Sequence, residues 1–180
     1  QKTKFALYAA FSRFVRGCAL VDRGQTAQGL IDIKEGIAEA ERTDLRYMRA
    51  MTLGWLAYAC ARAGQIDEAL STVNDALQYV DDVTGRSWEA ELYRLKGEFL
   101  LALSPPQSTA AEASFSRAIT VAREQQAKSL ELRAATSLAR LWAAQGKRAE
   151  ARELLAPVHG WFSEGLETTD LKNAKAFLDS

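Results

Sequence analysis

One register runs the length of this chain and limits its possible folds more than any other feature. Small residues stand at Gly29, Ala69, Ala111 and Ala151, separated by 40, 42 and 40 residues. Four positions further on come Ile33, Val73, Phe115 and Leu155, and three beyond those Gly36, Ala76, Ala118 and Val158. Gly24, Gly64 and Gly146 keep the same frame, 40 and then 82 residues apart. Chance self-similarity does not hold one glycine and three packing columns in step, so the chain repeats a supersecondary unit.

That unit is written most plainly between Leu53 and Leu77, LGWLAYACARAGQIDEALSTVNDAL. Leu53, Leu56, Ala57 and Cys60 recur at i, i+3, i+4 and i+7, one face of a helix; Gly64 interrupts it, and Ala69, Val73, Ala76 and Leu77 resume the spacing. The unit is a helical hairpin. Ala57, Ala69 and Ala76 let the two backbones approach, and Leu56, Leu70 and Val73 fill the remaining space, as in the tetratricopeptide class. A period near 40 exceeds the ~34 of that class, which adds roughly one turn to each helix.

The pattern predicts helices over 3–22, 26–41, 45–63, 66–81, 87–103, 110–126, 129–145, 148–164 and 169–178. The expected fold is all-α, a right-handed α-α superhelix of tetratricopeptide-like hairpins with a C-terminal capping helix. It forms a single domain over 1–180, with hairpins at 3–41, 45–81, 87–126 and 129–164 and the cap at 169–178. Asp44 and Ser87 are the expected N-caps of the third and fifth helices, and Gly85 breaks the chain before the fifth. In the third hairpin SPPQST replaces the turn glycine: Pro105 and Pro106 stop one helix, and Thr109 with Glu112 is expected to form a capping box for the next. Pro157 should bend the eighth helix. The chain begins with Gln and reads as helical from its first residues, so it is expected to be a fragment of something longer.

Composition narrows the function. Lys plus Arg and Asp plus Glu are 23 each, which leaves no overall field to draw in nucleic acid or an anionic membrane. No run approaches the ~20 apolar residues of a membrane helix. Two cysteines in apolar patterns suit a reducing cytoplasm better than a disulfide scaffold.

The chemistry-bearing motifs resolve into structural ones. GQTAQG at Gly24 to Gly29 has the glycine spacing of a phosphate loop, but Leu30 and Ile31 follow where Lys and Ser or Thr are needed. His159 is the one histidine and has no neighbouring cysteine for a nucleophile pair. Cys18 and Cys60 lack the partners of a zinc site and read as small packing residues. Glu89, Glu91 and Glu98 stand near Arg94 at ion-pair spacing rather than as a catalytic carboxylate pair. Trp55, Trp88, Trp142 and Trp161 fall in apolar helical patterns and are expected to pack. The expectation is therefore no enzyme, no cofactor and no metal.

The segments WEAELYRLKGEFLLAL (Trp88 to Leu103), AKSLELRAATSLARLW (Ala127 to Trp142) and LLAPVHGWFSEGLETTDLKNAKAFL (Leu154 to Leu178) carry a closer likeness. They resemble the C-terminal helical-repeat region of large bacterial signalling proteins, in which a nucleotide-cyclase or winged-helix DNA-binding domain precedes a STAND-type ATPase module. The resemblance spans roughly residues 50–180 well and the first hairpin loosely. It implies a parent with ATPase and either cyclase or DNA-binding activity upstream, none of whose motifs falls on a residue here.

In such arrays the first helix of each hairpin lines a concave groove. The resemblance selects Phe11, Phe14, Cys18 and Val21 for the first segment, then Met51, Tyr58 and Arg62, then Glu91, Arg94 and Glu98, then Arg133, Thr136 and Arg140. Glu91 and Glu98 can pair with Arg94, which leaves Arg133 and Arg140 as the arginines expected to be free. The expected function is a protein-interaction or regulatory module of a bacterial cytoplasmic, ATPase-linked signalling or transcription-regulatory protein. Its partner is a protein or peptide segment, or another domain of the same parent chain, with no direct nucleic-acid or membrane contact. The alternative is a sensor binding a small molecule or nucleotide between helices. Phe5, Tyr8, Phe11 and Phe14 add an apolar surface expected to favour self-association through the N-terminal hairpin.

Overall fold

Ten helices and no strand form among the described residues, which are 2–42, 48–80 and 83–180 of this computed structural model. They are α1 (Lys2–Asp22), α2 (Thr26–Glu41), α3 (Arg49–Arg62), α4 (Ile66–Leu77), α5 (Val83–Arg86), α6 (Glu89–Ala102), α7 (Ser108–Glu124), α8 (Lys128–Ala144), α9 (Arg148–Gly160) and α10 (Thr169–Asp179). The expected N-cap Asp44 lies outside the described residues.

The repeated turn has one physical form. Gly24, Gly64 and Gly146 adopt φ of 81°, 78° and 83°. After α1, Gly24 N–H donates to the Val21 carbonyl and Gln25 N–H to the Leu20 carbonyl, the paired closure that satisfies the last carbonyls of a helix. Gly64 with Gln65 and Gly146 with Lys147 make the same pair of bonds after α3 and α8. The left-handed conformation this needs is cheap only for glycine, which explains the glycine register. After α7 the same closure recurs, with Gln126 at φ 56° in place of glycine.

All three packing columns are buried. Ile33, Val73, Phe115 and Leu155 are each wholly inaccessible, as are Ala69, Ala111 and Ala151. The chain forms two compact units, Gln1–Trp88 and Glu89–Ser180.

In the first unit α1 pairs with α2 and α3 with α4. Phe14, Cys18, Val21, Ile33 and Ala59 form a core on which Met51, Trp55, Leu56 and Tyr58 pack. Phe14, Cys18 and Val21 are therefore core residues and not groove residues, because the inward face of α1 meets α2. A Cβ built on Gly17 would stand 2.7 Å from the Gly29 carbonyl oxygen, and one on Gly29 2.7 Å from that of Gly17, so the two backbones touch where these helices cross. Arg16 holds the buried Asp32 through two hydrogen bonds of 2.7 and 3.0 Å, and Gln28 adds a third at 3.1 Å.

In the second unit α6 pairs with α7 and α8 with α9, and α10 packs on α8 and α9 through Leu171 and Ala174. The buried Glu131 at the start of α8 accepts from Arg123 and Lys128, both at 2.7 Å. No capping box forms at α7: the N-cap is Gln107 without a side-chain bond, and Glu112 instead accepts a 2.9 Å bond from the Trp142 indole. Gly85 lies inside the short helix α5 rather than breaking the chain. α9 contains Pro157 and ends at Gly160, four residues earlier than expected. Trp161 just beyond it is 60% exposed rather than packed.

Candidate functional site

Three helices of the second unit converge on an open polar pocket of about 170 Å³. α6 supplies Arg94 and Glu98, α8 supplies Arg133, Thr136, Ser137 and Arg140, and α10 supplies Asp170 and Asn173. The first helices of successive hairpins share a face because the repeat sets them in one register, and Asn173 stands 40 residues after Arg133. α10 is thus placed as the opening helix of a further hairpin and forms a wall of the pocket.

Charges on the floor are tied together. Arg94 donates to Glu91 at 2.8 and 3.0 Å and to Glu98 at 3.2 Å. Burial alone would lower the pKa of its guanidinium, but Glu91, and after it Glu98 and Asp170, outweigh that and raise it. Arg133 meets the same Glu91 at 3.0 Å and reaches Asp170 at 3.7 Å. Ser137 donates to Glu98 at 2.6 Å, and the Thr136 hydroxyl donates to the Leu132 carbonyl at 2.8 Å. Arg140 is exposed and makes no ion pair among the described residues.

Of the residues expected in the groove, Arg94, Glu98, Arg133, Thr136 and Arg140 line this pocket, and Glu91 lies beneath it as the shared carboxylate of Arg94 and Arg133. Tyr58 and Arg62 belong to the first unit, where Tyr58 packs edge-on against Trp55 with ring centroids 5.7 Å apart and Arg62 is exposed. The pairing of Arg94 with both glutamates is as expected. Arg133 is not free, since it shares Glu91, a contact between helices that spacing along one helix cannot reveal. Sequence reasoning missed Ser137, Asp170 and Asn173; carrying the 40-residue column one step beyond Arg133 finds Asn173.

Cys18 and Cys60 are both buried. Burial pushes the Cys18 thiol up to about 12 and the Cys60 thiol up to about 11, so neither is a thiolate near neutrality. No cluster of metal-ligating side chains and no helix long and apolar enough to cross a membrane occurs among the described residues.

The tetratricopeptide repeat sequence profile matches residues 50–74 and 132–157, which span the α3–α4 and α8–α9 hairpins. Solved structures agree on the fold. TPR-like repeats from a Podosopora anserina protein described as a kinesin light chain superimpose with a TM-score of 0.67 at 17% identity, covering 96% of this chain and 84% of that one. A variant of the same protein gives equal values. No curated protein matches the chain in sequence. The chain therefore has a tetratricopeptide-like helical-repeat fold, a class generally used for protein interaction.

Proposed function

We propose that this chain is a non-catalytic interaction module whose second unit grips a protein or peptide segment, from another protein or from its own parent chain, by an acidic side chain. The observation that carries this is the exposed Arg140 at the rim of a pocket whose other arginines are already neutralised. Arg94 and Arg133 are held by Glu91, Glu98 and Asp170, Arg140 is the arginine of the pocket with no carboxylate partner among the described residues, and Asn173 offers an uncharged donor in the same pocket. A charge-assisted bond to a carboxylate is stronger than a neutral one and is bidentate when the donor is arginine. The pocket is smaller than the ~300 Å³ or more of typical small-molecule sites and is polar, which favours a side chain of a larger partner over a buried effector.

The resemblance of the segments at Trp88, Ala127 and Leu154 supports a place in a bacterial cytoplasmic signalling or transcription regulator with an ATPase upstream. In that setting the partner is a regulatory segment, and the module transmits occupancy to the ATPase.

Fluorescence anisotropy with labelled extended peptides tests the reading, using peptides that alternate apolar and Asp or Glu residues and sequence-matched Asn or Gln controls. The acidic set should bind and the controls should not. Arg140→Glu should weaken binding by about tenfold or more, the loss of one charged contact worth ~1.5–3 kcal/mol. Equal binding of acidic and neutral peptides, or of wild type and Arg140→Glu, would reject the proposal. Arg133→Glu is a poor probe, because it would set a second carboxylate against Glu91.

A further inference from the structure

α10 keeps the register of the first helices, since its buried Leu171 and Ala174 stand 40 residues after the buried Glu131 and Ala134 of α8. Asp170 breaks the pattern. The column that ends on it holds Tyr8, Met48, Trp88 and Leu130 in the four preceding repeats, apolar at every step. Leu130 uses that position to pack on Ala90, Val121 and Ala122. A charge where the repeat places an apolar side chain is a local departure from an otherwise consistent sequence, and such departures fall at functional positions.

The pocket gives that charge a role. Its three arginines, Arg94, Arg133 and Arg140, stand among three carboxylates, Glu91, Glu98 and Asp170. Two of these are firmly held: Glu91 by Arg94 at 2.8 Å and Arg133 at 3.0 Å, Glu98 by Arg94 at 3.2 Å and Ser137 at 2.6 Å. Asp170 is not. Its one ion pair among the described residues is the 3.7 Å contact with Arg133, and its side chain is 49% exposed. α10 does not depend on that contact for docking, because Leu171 and Ala174 bury its apolar side. An exposed pair at this distance contributes little to stability, yet the carboxylate sits where a second acidic side chain would have to approach Arg133, and like charges brought together are costly. We infer that Asp170 is a built-in competitor for the pocket: it holds the Arg133 end against the acidic side chains of the partner and sets the affinity at which the site fills. A partner carboxylate that enters turns the Asp170 side chain out to solvent and takes over its contact with Arg133.

This inference rests on the acidic-peptide reading given above. The alternating acidic peptides and their Asn or Gln controls test it by fluorescence anisotropy on the wild type, Asp170→Asn, Asp170→Ser and Asp179→Asn. Asp179 is exposed near the end of the same helix and outside the pocket, so its replacement removes an equal charge from α10 without touching the site. Circular dichroism verifies that each variant keeps its helicity. Both Asp170 variants should bind the acidic peptides about fivefold or more tightly than the wild type does, and Asp179→Asn should match the wild type. Acidic peptides preferred by the wild type but bound no better by either Asp170 variant would overturn the inference and leave the peptide-binding reading standing. A gain of the same size in Asp179→Asn would overturn it too, as a general effect of charge. Absence of any preference for acidic peptides in the wild type and in both Asp170 variants would reject the reading and the inference together.

Discussion

Gly17→Ala isolates the close crossing of α1 and α2. At the equivalent positions the second hairpin carries Ala57 with Ala69 and the fourth Ala139 with Ala151, so alanine is compatible with the repeat in general. In the first hairpin the pair is Gly17 with Gly29, and a Cβ on Gly17 would lie 2.7 Å from a backbone oxygen and 2.8 Å from the Ile33 nitrogen. Neither atom can swing aside as a side chain would. Alanine gains about 1 kcal/mol over glycine in a helix interior. Overpacking costs ~1–3 kcal/mol, and obstruction by two backbone atoms of α2 puts this site at or beyond the upper end. The net expectation is a loss of about 2 kcal/mol, a fall in melting temperature of roughly 4–8 °C for a chain of this size. Gly160→Ala is the control, since a Cβ there meets nothing within 4 Å; it should be neutral or slightly stabilising. Thermal melts followed by circular dichroism decide the matter. If Gly17→Ala melts at or above the wild type, backbone contact does not set this crossing and the reasoning fails.

Gly97→Ala should destabilise for a related reason: its Cβ would fall 2.4 Å from the ring of the fully buried Phe115, and the accompanying change Phe115→Leu should recover most of the loss in urea denaturation. Acid should weaken the fold through two carboxylates. Arg16 leads the groups that lower the Asp32 pKa; for Glu131 burial pushes upward, but Arg123 and Lys128 outweigh it and the net shift is down. A folded-state pKa below the unfolded one adds stability above the ordinary carboxyl range, and this is lost as pH falls from about 4 through the lowered values. The drop in urea midpoint between neutral pH and pH ~3 should shrink in Asp32→Asn/Glu131→Gln; an identical drop would show that these groups do not set the acid response.

The repeat made most of the fold legible. Glycine at a left-handed turn and a small residue five positions later are demands of local geometry, so they recur in sequence and locate every hairpin whose turn uses glycine. The same closure at Gln126 was hidden, because a non-glycine residue there carries no sequence signature. The end of α4 at Leu77 and the turn α5 were missed because the apolar spacing runs past the last helical hydrogen bond. The pocket was half legible. Arg94 with Glu91 and Glu98 is a pairing within one helix and follows from spacing. The link from Arg133 to Glu91, and the wall made by Asp170 and Asn173, depend on how helices stack. Phe14, Cys18 and Val21 were assigned to the groove by a rule about first helices, which does not say where that helix turns its face inward.

The central claim is that Arg140 receives an acidic side chain of the partner, and a charge exchange tests it most directly. An acidic peptide that binds the wild type is compared, by isothermal titration, with the same peptide carrying Lys at one acidic position, against wild type and Arg140→Glu. Each single change should weaken binding by about tenfold or more, and one Lys position should restore affinity with Arg140→Glu, giving a coupling energy on the order of 1–3 kcal/mol. Strictly additive losses at every position of the peptide would show that Arg140 contacts no carboxylate of the partner, and the claim would be wrong.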